Sequence, residues 1–284
     1  MTLIQDALPD RWTPQRQSGP SARIRRVLAD SWTMTKRNMA HVVRAPEELG
    51  IYFGLPIMFV LVFGYVFGSG MSVPGGGDYR EFLLPGVFAM TMLYGMGATG
   101  TQIAFDVSRG VVDRFRSMPI ASSALVVGRS VADLMRAVLE MTVLVVCGLL
   151  VGWQWHRGVG YALLAVALIL ALRVSITWIG IYLGLAVRNP DMVGVIVFPL
   201  AFPMTAVSNV FIAPQLLPTW LGTLAEWNPL SATVSATREL FGNPGLGGES
   251  WIAQNSIVMA VVWPVLLTAV FAPLAVRRYR RLSR

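Results

Sequence analysis

Residues 160–186 read GYALLAVALILALRVSITWIGIYLGLA, a run whose one charged side chain is Arg173. A helix needs about 20 mostly apolar residues to cross the hydrocarbon core of a bilayer. This stretch is long enough, and five others share its character: 51–68, 82–105, 137–155, 192–211 and 257–276. Composition agrees with that reading. The mean hydropathy is +0.59, with 55% hydrophobic and only 13% charged residues, whereas soluble domains carry about 25% charge. Too little polar surface remains to hold so many apolar side chains in water. The chain reads as an all-α integral membrane protein with six transmembrane helices, forming a membrane domain over residues 47–276.

The basic residues set the orientation, because Lys and Arg near helix ends stay preferentially on the cytoplasmic side. Eight precede the first span, from Arg11 to Arg44, and five lie between the second and third: Arg109, Arg114, Arg116, Arg129 and Arg136. Five more form the basic tail of residues 277–284, and Arg188 follows the fourth span. With both termini inside, only Arg80, Arg157 and Arg238 face outward. No apolar core followed by a small-residue cleavage site occurs in the first fifty residues, so no removable signal peptide is expected. The net charge of +8 is therefore distributed around apolar runs and not gathered on one soluble face, as nucleic-acid binding would need.

Residues 1–20 are polar, with Pro9, Pro14 and Pro20, and read as a disordered cytoplasmic lead-in. Over 21–46 the pattern changes. Ile24, Val27, Leu28, Trp32, Met39 and Val42 share one helical face, opposite Arg26, Asp30, Lys36, Arg37 and Arg44. That is the pattern of an amphipathic helix lying in the cytoplasmic interface. Ala45-Pro46 ends it.

Between the second and third spans, residues 106–119 combine charge with an apolar counter-face. Asp106, Arg109, Asp113, Arg114 and Arg116 recur at short helical spacings, with Val111, Val112, Phe115 and Met118 opposite them, and Pro119 closes the element. A solvated loop that only enforces topology would also carry such charges. The order of Asp106, Gly110, Arg114-Phe115 and Pro119, followed by Gly128-Arg129, resembles the cytoplasmic loop of ABC-2 type permeases, in particular the daunorubicin-resistance type. Further landmarks are similar to the family's: Val151 to Gly158, Arg188-Asn189-Pro190-Asp191, Pro218-Thr219-Trp220, Trp227 to Ser231 and Arg238-Glu239-Leu240. Many relatives have Glu where this chain has Asp106.

The resemblance implies the ABC-2, or type V exporter, permease fold and a half-transporter. Such permeases pair with a second permease copy, identical or related, above two separate ATPase subunits. The 21–46 helix, with Lys36 and Arg37, and the 106–119 loop would receive the ATPase's motion. ATP and magnesium would be bound by the partner subunit and no cofactor by this chain; the chain has no G-x-x-x-x-G-K-[ST] phosphate loop. It is expected to be non-catalytic by itself, in the cell membrane, and to export a hydrophobic or amphipathic compound such as an antibiotic, lipid or polyketide.

Charges inside a bilayer are costly and mark functional suspects. Glu140 in the third span and Arg173 in the fourth lie deepest, with Asp133 and Arg136 nearer the inner edge; a direct Glu140 to Arg173 pair is one arrangement open to them. Satisfied against a neighbouring helix, each would serve structure and not cargo. Pro199 and Pro203 are expected to kink the fifth span, and kinked spans can line a cavity; the family's transport path runs along the second and fifth helices. Gly95, Gly97, Gly100, Gly180 and Gly184 permit close helix approach. Outside, residues 212–250 read as a re-entrant segment and outer gate, with Trp220 and Trp227 on it.

Two other classes fit less well. An ion-gradient-driven transporter usually needs mid-span carboxylates and often an internal repeat; Glu140 is the one candidate, and the two halves do not repeat. A membrane-embedded enzyme needs a nucleophile, base or metal cluster. Cys147 is the only cysteine, and His41 and His156 are far apart.

Overall fold

A computed structural model describes residues 54, 56–67, 76–110, 122–187, 189–245 and 250–282, all helix or connection, with no strand among them. The first apolar helix, α1, spans Pro56–Val66 and loosens into a π-turn at Phe63–Phe67. Helix α2 spans Tyr79–Ser108. It follows two glycines with positive φ, Gly76 and Gly77, and starts where the Asp78 carboxylate accepts from the Arg80 backbone N–H at 2.9 Å. Helix α3 spans Ser122–Val151 and stops at Gly152, whose φ of 100° takes the chain out of the helix. Helix α4 runs Val159–Ala186 and α5 runs Asp191–Ala206. Three short helices follow: α6 at Thr219–Glu226, α7 at Pro229–Phe241 and α8 at Trp251–Gln254. Helix α9 closes the fold at Ser256–Leu282.

Four of these, α2, α3, α4 and α9, are long and apolar enough to cross a membrane; α1 and α5 are apolar but shorter. Between α2 and α9 burial and hydropathy run in opposite directions. The most apolar window of α2 has a hydropathy of 1.4 and is 78% buried inside the protein, whereas that of α9 reaches 2.3 and is 11% buried. In water the more apolar helix would be the covered one. Here the greasier surface faces outward, as lipid requires.

Helix α4 lies along α2 on one side and α9 on the other. The α2–α4 crossing is close because neither backbone carries a side chain where they meet. A Cβ on Gly180 would stand 2.6 Å from the Met96 carbonyl oxygen, and one on Gly184 would run into the Gly100 carbonyl oxygen. The expected small-residue seam therefore joins two helices of one chain.

Three expected boundaries shift by five residues or more. The last helix runs to Leu282 and not to 276, so Arg277, Arg278, Arg280 and Arg281 of the expected tail belong to it. The third helix begins at Ser122 and not at 137, so Arg129, Asp133 and Arg136 belong to the helix and not to its approach. Asp133 and Arg136 point into partners on neighbouring helices, which removes the reason to exclude them from a membrane helix. The fifth ends at Ala206 and not at 211, where the Val207 N–H closes on the Pro203 carbonyl at 2.8 Å. The lead-in of 1–20, the amphipathic helix of 21–46 and the greater part of the 106–119 loop lie outside the described residues.

Candidate functional site

Asp133 on α3 and Arg173 on α4 meet in the interior, each almost completely buried. Arg173 donates from Nε to Oδ2 and from Nη2 to Oδ1, both at 2.9 Å, the parallel fork that carboxylate and guanidinium geometry favours. Its Nη1 donates to the Met92 carbonyl of α2 at 3.2 Å. Asp133 also accepts from Thr99 Oγ1 of α2 at 2.8 Å and from Thr177 Oγ1 of α4. Gly95 of α2 makes the room, since any Cβ there would overlap the guanidinium. One ion pair thus ties three helices together with its hydrogen-bonding capacity largely filled, the condition under which a buried pair is tolerated.

The expected alternative of a Glu140 to Arg173 pair is corrected by this geometry. Glu140 lies two turns further along α3 and forms no hydrogen bond among the described residues, although it feels the charges of Arg173, Asp133 and Arg136. Arg136 reaches Gln102 of α2 at 3.3 Å.

Of the expected coupling residues, Asp106 and Arg109 sit at the C-terminal end of α2, where Arg109 is exposed and lies over the Phe105 ring at 5.4 Å. Gly110 follows with φ of 66°. Asp113, Arg114, Phe115, Arg116 and Pro119, like Lys36 and Arg37, lie outside the described residues. Pro199 and Pro203 occupy the exposed side of α5, beside the stacked rings of Phe198 and Phe202 at 5.7 Å. The buried side of α5 is Val193, Val197, Ala201 and Thr205, set against Gly97 and Gly100 of α2. Among the described residues the two prolines therefore line no interior space. Trp220 and Trp227 are also exposed, at 68% and 58%.

At the end of the bundle marked by Asp78, the structure builds a lock that sequence reading treated only as an outer loop. Arg238 of α7 is buried and donates to three carbonyls: Phe82 at 2.7 Å, Asn209 at 2.8 Å and Val210 at 3.0 Å. Its guanidinium lies 3.7 Å from the centre of the Phe82 ring. Beside it the buried Trp153 donates from Nε1 to Asn243 Oδ1 at 2.9 Å and packs edge-on against Phe88 and Phe241. Asn243 donates onward to the Gln154 carbonyl at 2.7 Å, and His156 pairs with Glu81 at 2.9 Å. These contacts clamp α7 and the residues after it to the start of α2, to the segment after α5 and to the connection between α3 and α4. Of the lock, only the glycine after Phe241, with φ of 74°, carries a local signal; carbonyl acceptors have none.

The three arginines expected outside gather at this end. Arg80 donates to the Val151 carbonyl at 3.0 Å, Arg157 packs next to Gly242, and Arg238 sits in the lock. Arg109 and Arg278 mark the opposite end, where Arg278 reaches the Leu185 carbonyl at 3.5 Å. Arg80, Asp133, Arg173 and Arg238 are thus spent on joining separate segments of the bundle, while Arg109, Arg157 and Arg277 stay exposed at its ends.

Residues 30–241 match the family described as ABC-2 type transporter. The chain is similar to the daunorubicin resistance ABC transporter permease protein DrrB1 of Streptomyces coeruleorubidus, at 31% identity over 91% of this chain and 89% of that protein. It is similar to the doxorubicin resistance ABC transporter permease protein DrrB of Mycobacterium tuberculosis, at 26% identity over 90% and 89%. The probable multidrug ABC transporter permease YbhR of Escherichia coli is 22% identical over 72% of this chain and 53% of its own length.

Proposed function

The chain belongs to the ABC-2 type transporter family, and on that premise we propose that it is the permease subunit of an ATP-driven exporter of hydrophobic or amphipathic compounds. The observation that carries this reading is similarity along almost the whole chain to permeases named for daunorubicin and doxorubicin resistance. The inverted burial of α2 and α9 supports lipid as the solvent, and the exposed aromatic side chains of α5 supply a surface suited to apolar cargo or to a second permease.

In this reading α1 and α5 complete six spans, with both termini in the cytoplasm and Arg80, Arg157 and Arg238 outside the cell membrane. The 21–46 helix and the 106–119 loop face two copies of a separate ATPase, which bind ATP and magnesium. Its strokes reach the bundle first through Asp106 and Arg109, because these continue α2, and α2 is tied to α3 and α4 by the Asp133–Arg173 pair. Trp220 and Trp227 belong to an outer cap that α7 fastens through Arg238. The permease itself contributes shape and motion and no catalytic group.

The test is ATPase activity of the full chain in nanodiscs, alone and after co-expression with the product of the neighbouring gene. The expected result is no hydrolysis alone and cargo-stimulated hydrolysis in a co-purifying complex. Transport that follows an imposed proton gradient, with no ATPase ever co-purifying, would overturn the reading and direct attention to Glu140.

A further inference from the structure

Helix α9 continues past the end of its apolar run, from Val276 through Arg277, Arg278, Tyr279, Arg280 and Arg281 to Leu282. Residues 250–284 contain no Asp or Glu. The rotation of the helix at this end is fixed from its inner side, where Ala275 and Tyr279 are buried against Ile103 of α2 and Ile181 and Leu185 of α4. On the other side Leu266, Val270, Leu274, Arg277 and Arg281 are all exposed, and steps of three or four residues keep them on one helical face. The lipid-facing stripe of α9 therefore runs without a break into two guanidinium groups.

Neither of the two is used inside the protein. Arg278 reaches the Leu185 carbonyl and Arg109 lies over the Phe105 ring, whereas Arg277 and Arg281 make no hydrogen bond or ion pair among the described residues. Asp106 and Asp191, the carboxylates described at this end, pair with neither of them. Like charges one turn apart on a helix repel, so an anion held between them relieves the pair. A helix C-terminus favours cations and membrane sidedness asks for basic residues, but neither effect requires that the arginines continue the lipid-facing stripe.

We propose that this face of α9 binds an anionic phospholipid, its phosphate held between Arg277 and Arg281 and an acyl chain laid along Leu274, Val270 and Leu266. The dimensions agree. At 1.5 Å per residue the two arginines stand about 6 Å apart along the axis, and Leu266 lies about 17 Å below Arg277, close to the ~15 Å of hydrocarbon in one leaflet. A guanidinium offers a planar fork of donors that matches phosphate oxygens, and its long stem lets it reach headgroup level from an apolar surface. A zwitterionic headgroup brings its own cation to compete with the arginines, and a free phosphate has no chain to cover the stripe. The site rests on α9 facing lipid; it needs neither ATP nor a second subunit, and it is independent of which side of the membrane this end occupies.

The probe is dioleoylphosphatidylglycerol, titrated onto the full chain in detergent and followed by native mass spectrometry, with dioleoylphosphatidylcholine as the reference lipid of equal chains. The first phosphatidylglycerol should bind roughly 10- to 30-fold more tightly than phosphatidylcholine, from the contribution of two arginines to an anionic headgroup. The double variant Arg277→Gln/Arg281→Gln should abolish that preference and each single variant should reduce it several-fold, whereas Arg157→Gln, which removes an exposed charge at the opposite end, should leave it intact. Both arginines are exposed, so the variants keep the fold, which an unchanged melting temperature in phosphatidylcholine checks. Equal affinity of the wild type for the two lipids, an undiminished preference in the double variant, or displacement of the lipid by glycerol 3-phosphate at equal concentration would each overturn the proposal. A double variant that keeps the preference and no longer co-purifies with the product of the neighbouring gene would also overturn it, and would assign the two arginines to a protein partner.

Discussion

Asp133 meets Arg173 through two parallel hydrogen bonds, and removing one partner is not equivalent to removing both. Asp133→Leu or Arg173→Leu alone leaves an uncompensated charge in the interior and should cost about 3–5 kcal/mol, whereas the double replacement with apolar residues should recover most of that loss. Thermal unfolding of the three variants in one detergent checks this; a double variant as unstable as either single would mean that the pair itself, and not the avoided orphan charge, supplies the stability. The ionisable residues themselves were readable from the sequence, because any charge inside an apolar run is conspicuous. Their pairing was not. The apolar run begins only at Ala137, which sets Asp133 nearer the inner edge, and depth read from a sequence leaves a Glu140 to Arg173 pair as one open arrangement among the deeper charges. Arg238 was less legible still: its acceptors are the backbone carbonyls of Phe82, Asn209 and Val210, which every residue possesses.

At the scale of the helix, apolar length located every long element, and errors arose where length was the wrong criterion. Helix α3 gains its first turns from residues whose charges are satisfied sideways, and α5 ends early where Pro199 and Pro203 thin out its backbone donors. The glycines divide into two kinds that the sequence does not distinguish. Gly184 faces the Gly100 carbonyl and Ile103 of α2, whereas nothing lies within 4 Å of a Cβ on Gly194 of α5. Gly184→Ala should therefore force the α2–α4 crossing apart at a cost of about 1–3 kcal/mol, and Gly194→Ala should stabilise its helix by up to about 1 kcal/mol. Melting temperatures that move in the same direction for both would contradict the close crossing. Should Gly194→Ala lower transport without lowering stability, the exposed face of α5 meets another subunit.

Across the whole molecule, the distribution of arginines was the most informative feature of the sequence, because it depends on counts and not on any contact. The structure keeps Arg80, Arg157 and Arg238 at one end of the bundle and Arg109 and Arg278 at the other. Sidedness follows from this asymmetry. In a Cys147→Ser background, Arg157→Cys should react with a membrane-impermeant maleimide in intact cells, and Arg277→Cys should react only after permeabilisation; the reverse pattern would invert the topology. The Asp133–Arg173 pair also bears on how such a chain is made. Its members are 40 residues apart, so during synthesis α3 presents its carboxylate to the insertion machinery before α4 has emerged. An unpaired Asp or Arg at the centre of a helix entering lipid is disfavoured by roughly 2.5–3.5 kcal/mol each. The two helices should therefore be retained and released into the bilayer together, as a hairpin already joined by its charges, which makes biogenesis of this protein a paired event and not a procession of single helices.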